Sequence, residues 1–83
     1  METQSTPTTD EIRSLIAEVL QVPMEQVDAD LAYGDLPEWD SIGHMEVMMA
    51  LETKYGVEIS TETIAQLTSL PTICAYLEEN HHV

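Results

Sequence analysis

The chain has 83 residues, enough for one small domain with little room for a deep enclosed site. Its 16 acidic residues stand against two basic ones, Arg13 and Lys54, for a formal net charge of -14. Nucleic acids and anionic membrane surfaces need cations to meet their phosphates, so neither is expected as a partner.

The acidity suits proteins with basic patches, whose encounter it would speed, although solubility alone is a simpler use of it. Cys74 is the single cysteine, so no internal disulfide can form. No secretory leader and no membrane span is read from the sequence, and a cytoplasmic monomer is expected.

Residues 1–7 are polar, contain Pro7 and lack periodicity, and read as a disordered lead-in. The folded domain is expected over residues 8–80, with 81–83 as a tail. Thr8 and Glu11 are spaced for a capping box that opens a first helix. Ile12, Leu15, Ile16, Val19 and Leu20 follow at helical spacing and predict one buried face, and Pro23 marks the stop.

Residues 21–39 form a long connection. Val22, Val27, Leu31, Tyr33 and Leu36 are apolar anchors scattered among Asp28, Asp30, Gly34, Asp35 and Pro37. A loop of this length in a compact domain tends to be functional, and it leads into Trp39-Asp40-Ser41. The three aspartates lack the glycine and terminal glutamate of a calcium loop, and no metal site is expected. Trp39 reads as a packing anchor, with lining of a path beside Ser41 as the sharper alternative.

A second helix is expected from about Asp40 to Tyr55, capped by Asp40 and ended by Gly56. At about 100° per residue, Val47, Met48, Leu51 and Tyr55 fall on one side and Ile42, Met45 and Met49 on another, about 140° away. Either this helix is surrounded on all sides, or the second stripe stays exposed as a contact surface beside Ser41, flanked by Glu46 and Glu52. The second reading is preferred, since methionines suit a surface that repacks against several partners. His44 reads as a solvated side chain. Gly43 lowers helix propensity by about 1 kcal/mol relative to alanine, which predicts a mobile first turn.

Val57-Glu58-Ile59 reads as a short extended link without a partner strand. Ser60 or Thr61 opens a short third helix carrying Ile64, Ala65 and Leu67. Ser69 caps a fourth, with Pro71 in its first turn and Ile73, Cys74, Tyr76 and Leu77 on its apolar face. Cys74 is expected to be a core residue, the segment from Glu78 onward to fray, and His81 and His82 to be too near the end to hold a metal. The fold class is all-α, a small four-helix bundle of three main helices and one short helix, with the long loop between the first two.

A serine in the first turn of a helix raises the question of catalysis. The nucleophile-elbow pattern is missing, since Trp39 stands where a glycine is needed. His44, one turn from Ser41, is the sole nearby candidate base. A dyad in so small a domain, with no oxyanion motif, is disfavoured. A phosphate ester at this place would be favoured by the helix dipole and opposed by the carboxylates of Glu38 and Asp40.

Asp40-Ser41-Ile42, followed by Met45-Glu46-Val47-Met48-Met49-Ala50-Leu51-Glu52, resembles the acyl carrier protein family. The similarity continues through Tyr55-Gly56-Val57-Glu58-Ile59 and Leu70-Pro71-Thr72-Ile73, and covers roughly residues 8 to 79. The resemblance implies that Ser41 carries a 4'-phosphopantetheine delivered from coenzyme A by a separate Mg-dependent phosphopantetheinyl transferase. It further implies a non-catalytic carrier that holds acyl groups as thioesters and presents them to loading and processing enzymes. Asp40, Ile42, Met45, Glu46, Met49 and Glu52 would be the residues those partners recognise. Glu38-Trp39 before the aspartate and Gly43-His44 after Ile42 resemble stand-alone carriers of specialised, polyketide-type pathways more than fatty-acid carriers. A peptidyl or aminoacyl carrier, or an unmodified acidic interaction module, are the alternatives.

Overall fold

In the computed structural model, residues 7–80 are described. Four α-helices follow in order, α1 (Thr9–Leu20), α2 (Ser41–Tyr55), α3 (Thr61–Gln66) and α4 (Leu70–Asn80), with a 3-10 turn at Met24–Gln26 inside the long loop. The expected lead-in over 1–7 falls outside the described residues except for Pro7, and the tail over 81–83, with His81 and His82, lies outside them. The bundle is all-helical as expected, and among the described residues no helix is long and apolar enough to cross a membrane.

The helix starts follow from local hydrogen bonding. Thr8 accepts from the amide of Glu11, and the Glu11 carboxylate accepts from the Thr8 amide at 2.8 Å, which satisfies two amides that the helix itself leaves open. Ser60 and Thr63 do the same for α3, and Ser69 and Thr72 for α4. Gln21 and Gly56 close α1 and α2 in the left-handed conformation, which glycine adopts without strain. Lys54 lies in the last turn of α2, where its charge suits the negative end of the helix dipole.

Ile12, Leu15, Ile16 and Leu20 of α1 pack with Val47, Met48 and Leu51 of α2 and Leu70, Ile73 and Leu77 of α4. Val27, Leu31 and Trp39 of the loop, with Val57 and Leu67, complete one core. Val19, Cys74 and Tyr76 are half-buried against it. Tyr55 is similarly half-buried, and its phenol is pushed above its ordinary value, first by burial and second by the Glu11 carboxylate.

Three expectations need correction here. In α3 the buried side chain is Thr63, with Leu67 buried just past the helix end, whereas Ala65 is exposed; the Thr63 hydroxyl donates to the Glu58 carbonyl at 2.7 Å, so a polar residue is satisfied inside. The chain does not fray from Glu78, because α4 continues to Asn80. His44 is not solvated but 4% exposed.

The loop is pinned at both ends. Arg13 of α1 donates to the carbonyls of Val27 and Met24, and pairs with Asp10 at 3.1 Å. One of the two cations is thus spent inside the structure, holding the 3-10 turn against α1. Further on, the Tyr33 amide donates to Thr68 and the Leu70 amide to Leu31, each at 2.8 Å, which ties residues 31–33 to the start of α4. The Asp35 carboxylate is used locally, accepting from the Ala32 amide at 3.0 Å.

Candidate functional site

The site is built where the pinned loop meets α2. Asp40 is the N-cap, its carboxylate accepting from the Gly43 amide at 2.9 Å. Ser41 is therefore the first residue of a 15-residue helix, and its side chain is exposed. Its Oγ lies 3.0 Å from the Tyr33 hydroxyl, and either group can donate.

Beneath Ser41, three buried contacts fix the junction. Trp39 is fully enclosed, so it anchors the loop end and does not line a path to Ser41. Its indole N–H donates to His44 Nδ1 at 3.1 Å. An indole nitrogen can only donate, so Nδ1 accepts and the proton sits on Nε2, which donates to the Ile64 carbonyl at 2.8 Å. His44 thereby links the loop, α2 and α3. With both ring nitrogens engaged, it is not a base for Ser41, and the dyad is ruled out.

Gly43 is the third contact. A Cβ there would meet the Glu38 carbonyl oxygen at 2.2 Å and a Leu20 methyl at 3.0 Å. The glycine does not loosen the first turn, as its helix propensity suggested. It lets the loop backbone approach α2 closely, and any side chain would push the two apart.

The outer side of α2 is open. Ile42 is 74% exposed, Met45 39% and Met49 50%, whereas Val47, Met48 and Leu51 are fully buried. The helix is not surrounded, and of the two readings of its wheel the exposed stripe holds. Glu46 and Glu52 are exposed beside that stripe. Between the end of α1 and the start of α2 an open cleft of about 330 Å³ includes Val19, Leu20 and Ile42, with the carboxylates of Glu38, Asp40 and Glu46 at its rim. Ser41, Ile42, Met45, Glu46, Met49 and Glu52 are thus exposed along one helix, and Asp40 both caps it and remains exposed.

Residues 10–77 match the family model described as a phosphopantetheine attachment site. The chain belongs to the acyl carrier protein family. It is 34% identical over 71 residues to an acyl carrier protein of Helicobacter pylori (strain G27), covering 86% of this chain and 91% of the relative. Acyl carrier protein 3 of Ralstonia nicotianae is 31% identical over 75 residues, 89% of this chain and 86% of that protein. An acyl carrier protein of Helicobacter acinonychis is 31% identical over 71 residues, covering 86% and 91%.

An acyl carrier protein bears a covalently attached 4'-phosphopantetheine, and its role is to carry, not to catalyse. The residues at the start of α2 fit such a group. The Ser41 hydroxyl is exposed, and its helix N-terminus favours a phosphate. The carboxylates of Glu38 and Asp40 oppose a further negative charge there, so electrostatic attraction alone would not hold such a group.

Sequence reasoning missed the Tyr33 hydroxyl at Ser41, having read Tyr33 as an apolar anchor. No local pattern marks the pair, since it depends on how the loop folds back. The burial of His44 did leave a signal. His44 is four residues before Met48 and seven before Leu51, on the core stripe of the wheel.

Proposed function

We propose that Ser41 is the attachment point of the 4'-phosphopantetheine, and that a separate phosphopantetheinyl transferase installs it from coenzyme A. The observation that carries this reading is an exposed serine hydroxyl at the first position of a long helix whose outer face is apolar and acid-rimmed. When bound, the group supplies a thiol that holds acyl cargo as a thioester.

The chain's own residues do the rest. Asp40 holds the helix start in place through the Gly43 amide, and so fixes where Ser41 stands. Ile42, Met45 and Met49 offer apolar contact to a visiting enzyme, while Asp40, Glu46 and Glu52 offer charge to a basic rim. Transferase and acyl-processing enzymes would then share one docking surface in turn. Polyketide-type or related specialised biosynthesis is the pathway class we favour, on the run Trp39-Asp40-Ser41-Ile42-Gly43-His44. Trp39, Gly43 and His44 form one packed junction, so the run is a structural unit rather than a chance string.

Incubation with coenzyme A and a broad-specificity transferase, followed by intact mass, tests the assignment. The wild type is expected to gain one phosphopantetheine, and Ser41→Ala none while keeping its helical signal. A modified Ser41→Ala, or a wild type unchanged by several transferases, would refute it.

A further inference from the structure

The Tyr33–Ser41 hydrogen bond is not required by the fold. Tyr33 is 42% exposed, and its main chain is already held by Thr68 and by the neighbouring pairing of Ala32 with Ser69. Its ring rests 5.6 Å from the ring of His44, which is itself fixed on both nitrogens. A phenol is therefore presented to Ser41 from a rigid base, at the one hydroxyl that the proposed function uses.

We infer that Tyr33 is a positioning residue for the loading of Ser41: its hydroxyl orients Oγ for attack and then donates to the phosphodiester that results. This rests on Ser41 being the attachment point. An exposed serine at a helix start has three staggered rotamers open to it, and a fixed partner at 3.0 Å selects one.

The direction of the bond suits the reaction. In the transfer, a bond forms between Oγ and phosphorus, and the phosphoanhydride bond of coenzyme A breaks. The serine proton goes to a base of the transferase, and adenosine 3',5'-bisphosphate leaves. Oγ must therefore keep its own proton available and a lone pair free. If Tyr33 donates, it occupies one of two lone pairs and leaves both requirements met. The more acidic phenol is the natural donor of the two hydroxyls. Once the ester has formed, Oγ has no proton, and negative charge sits on the neighbouring phosphate oxygens. The Tyr33 hydroxyl is then next to a charged acceptor, where a hydrogen bond is stronger than between neutral groups. Such a donor offsets part of the repulsion from Glu38 and Asp40.

Tyr33→Phe keeps the ring and removes the hydroxyl, whereas Tyr33→Ala removes both. Single-turnover loading with coenzyme A at saturating transferase, read by intact mass, gives the rate; its dependence on transferase concentration gives the half-saturation point. Both variants are expected to load about five- to tenfold more slowly than wild type, the effect of one hydrogen bond. Half-saturation and melting temperature should stay unchanged, and the ³¹P resonance of the loaded protein should move in Tyr33→Phe. A Tyr33→Phe protein that loads at the wild-type rate, or a loss confined to Tyr33→Ala, overturns the inference and leaves attachment at Ser41 standing. A wild type that gains no mass overturns both.

Discussion

Met48 and Met49 are adjacent in sequence and opposite in use. Met48 is fully buried in the core, and Met49 is 50% exposed on the outer side of the same helix. The inner side of α2 carries Gly43, His44, Val47, Met48 and Leu51, and is fixed by packing and by two hydrogen bonds of the His44 ring, one buried and one part-buried. The outer side carries Ser41, Ile42, Met45 and Met49, with no comparable packing. The same residue type thus serves packing on one side and, in the proposed function, recognition on the other. A second apolar stripe left exposed on a helix whose first stripe fills the core, in a domain this small, marks a contact surface.

The largest effect should come from setting those two methionines against each other. Met48→Ala is expected to cost about 2–5 kcal/mol, from lost transfer free energy and the cavity left behind. Met49→Ala should change stability by no more than about 0.5 kcal/mol. Urea unfolding of the two variants checks this, and comparable losses in both would erase the distinction between the faces. Gly43→Ala comes next. Alanine gains about 1 kcal/mol of helix propensity, but the new methyl meets the Glu38 carbonyl, and overpacking against backbone costs about 3 kcal/mol. A net loss of about 2 kcal/mol is expected in the same measurement; a more stable variant would mean that the loop end yields easily and that Ser41 is less firmly placed than its contacts suggest.

The inner side was only partly legible in the sequence. Caps could be read because a capping hydrogen bond joins residues three apart, as Thr8 with Glu11 and Asp40 with Gly43, whereas for α3 the sequence left Ser60 and Thr61 open and the Thr63 amide on Ser60 decides it. The exposed stripe could be read because a wheel needs nothing but spacing. Arg13 on Val27, His44 on Ile64 and Tyr33 on Ser41 could not, because each joins residues that the loop or the bundle brings together. For His44 the position on the wheel was informative and the residue type was not: a polar ring can be buried when each nitrogen has a partner. Gly43 was read by propensity, a local property, whereas its role lies in what approaches it from outside the helix.

The outer side offers the most direct test, because its function can be changed without touching the core. Half-saturation of loading by the transferase should be compared between wild type and the double variant Ile42→Ala/Met49→Ala. Removing two apolar contacts is expected to raise the half-saturating concentration about tenfold, equivalent to ~1.4 kcal/mol, at an unchanged melting temperature. An unchanged half-saturating concentration in the folded double variant would contradict the claim that the open face of α2 is where partners dock.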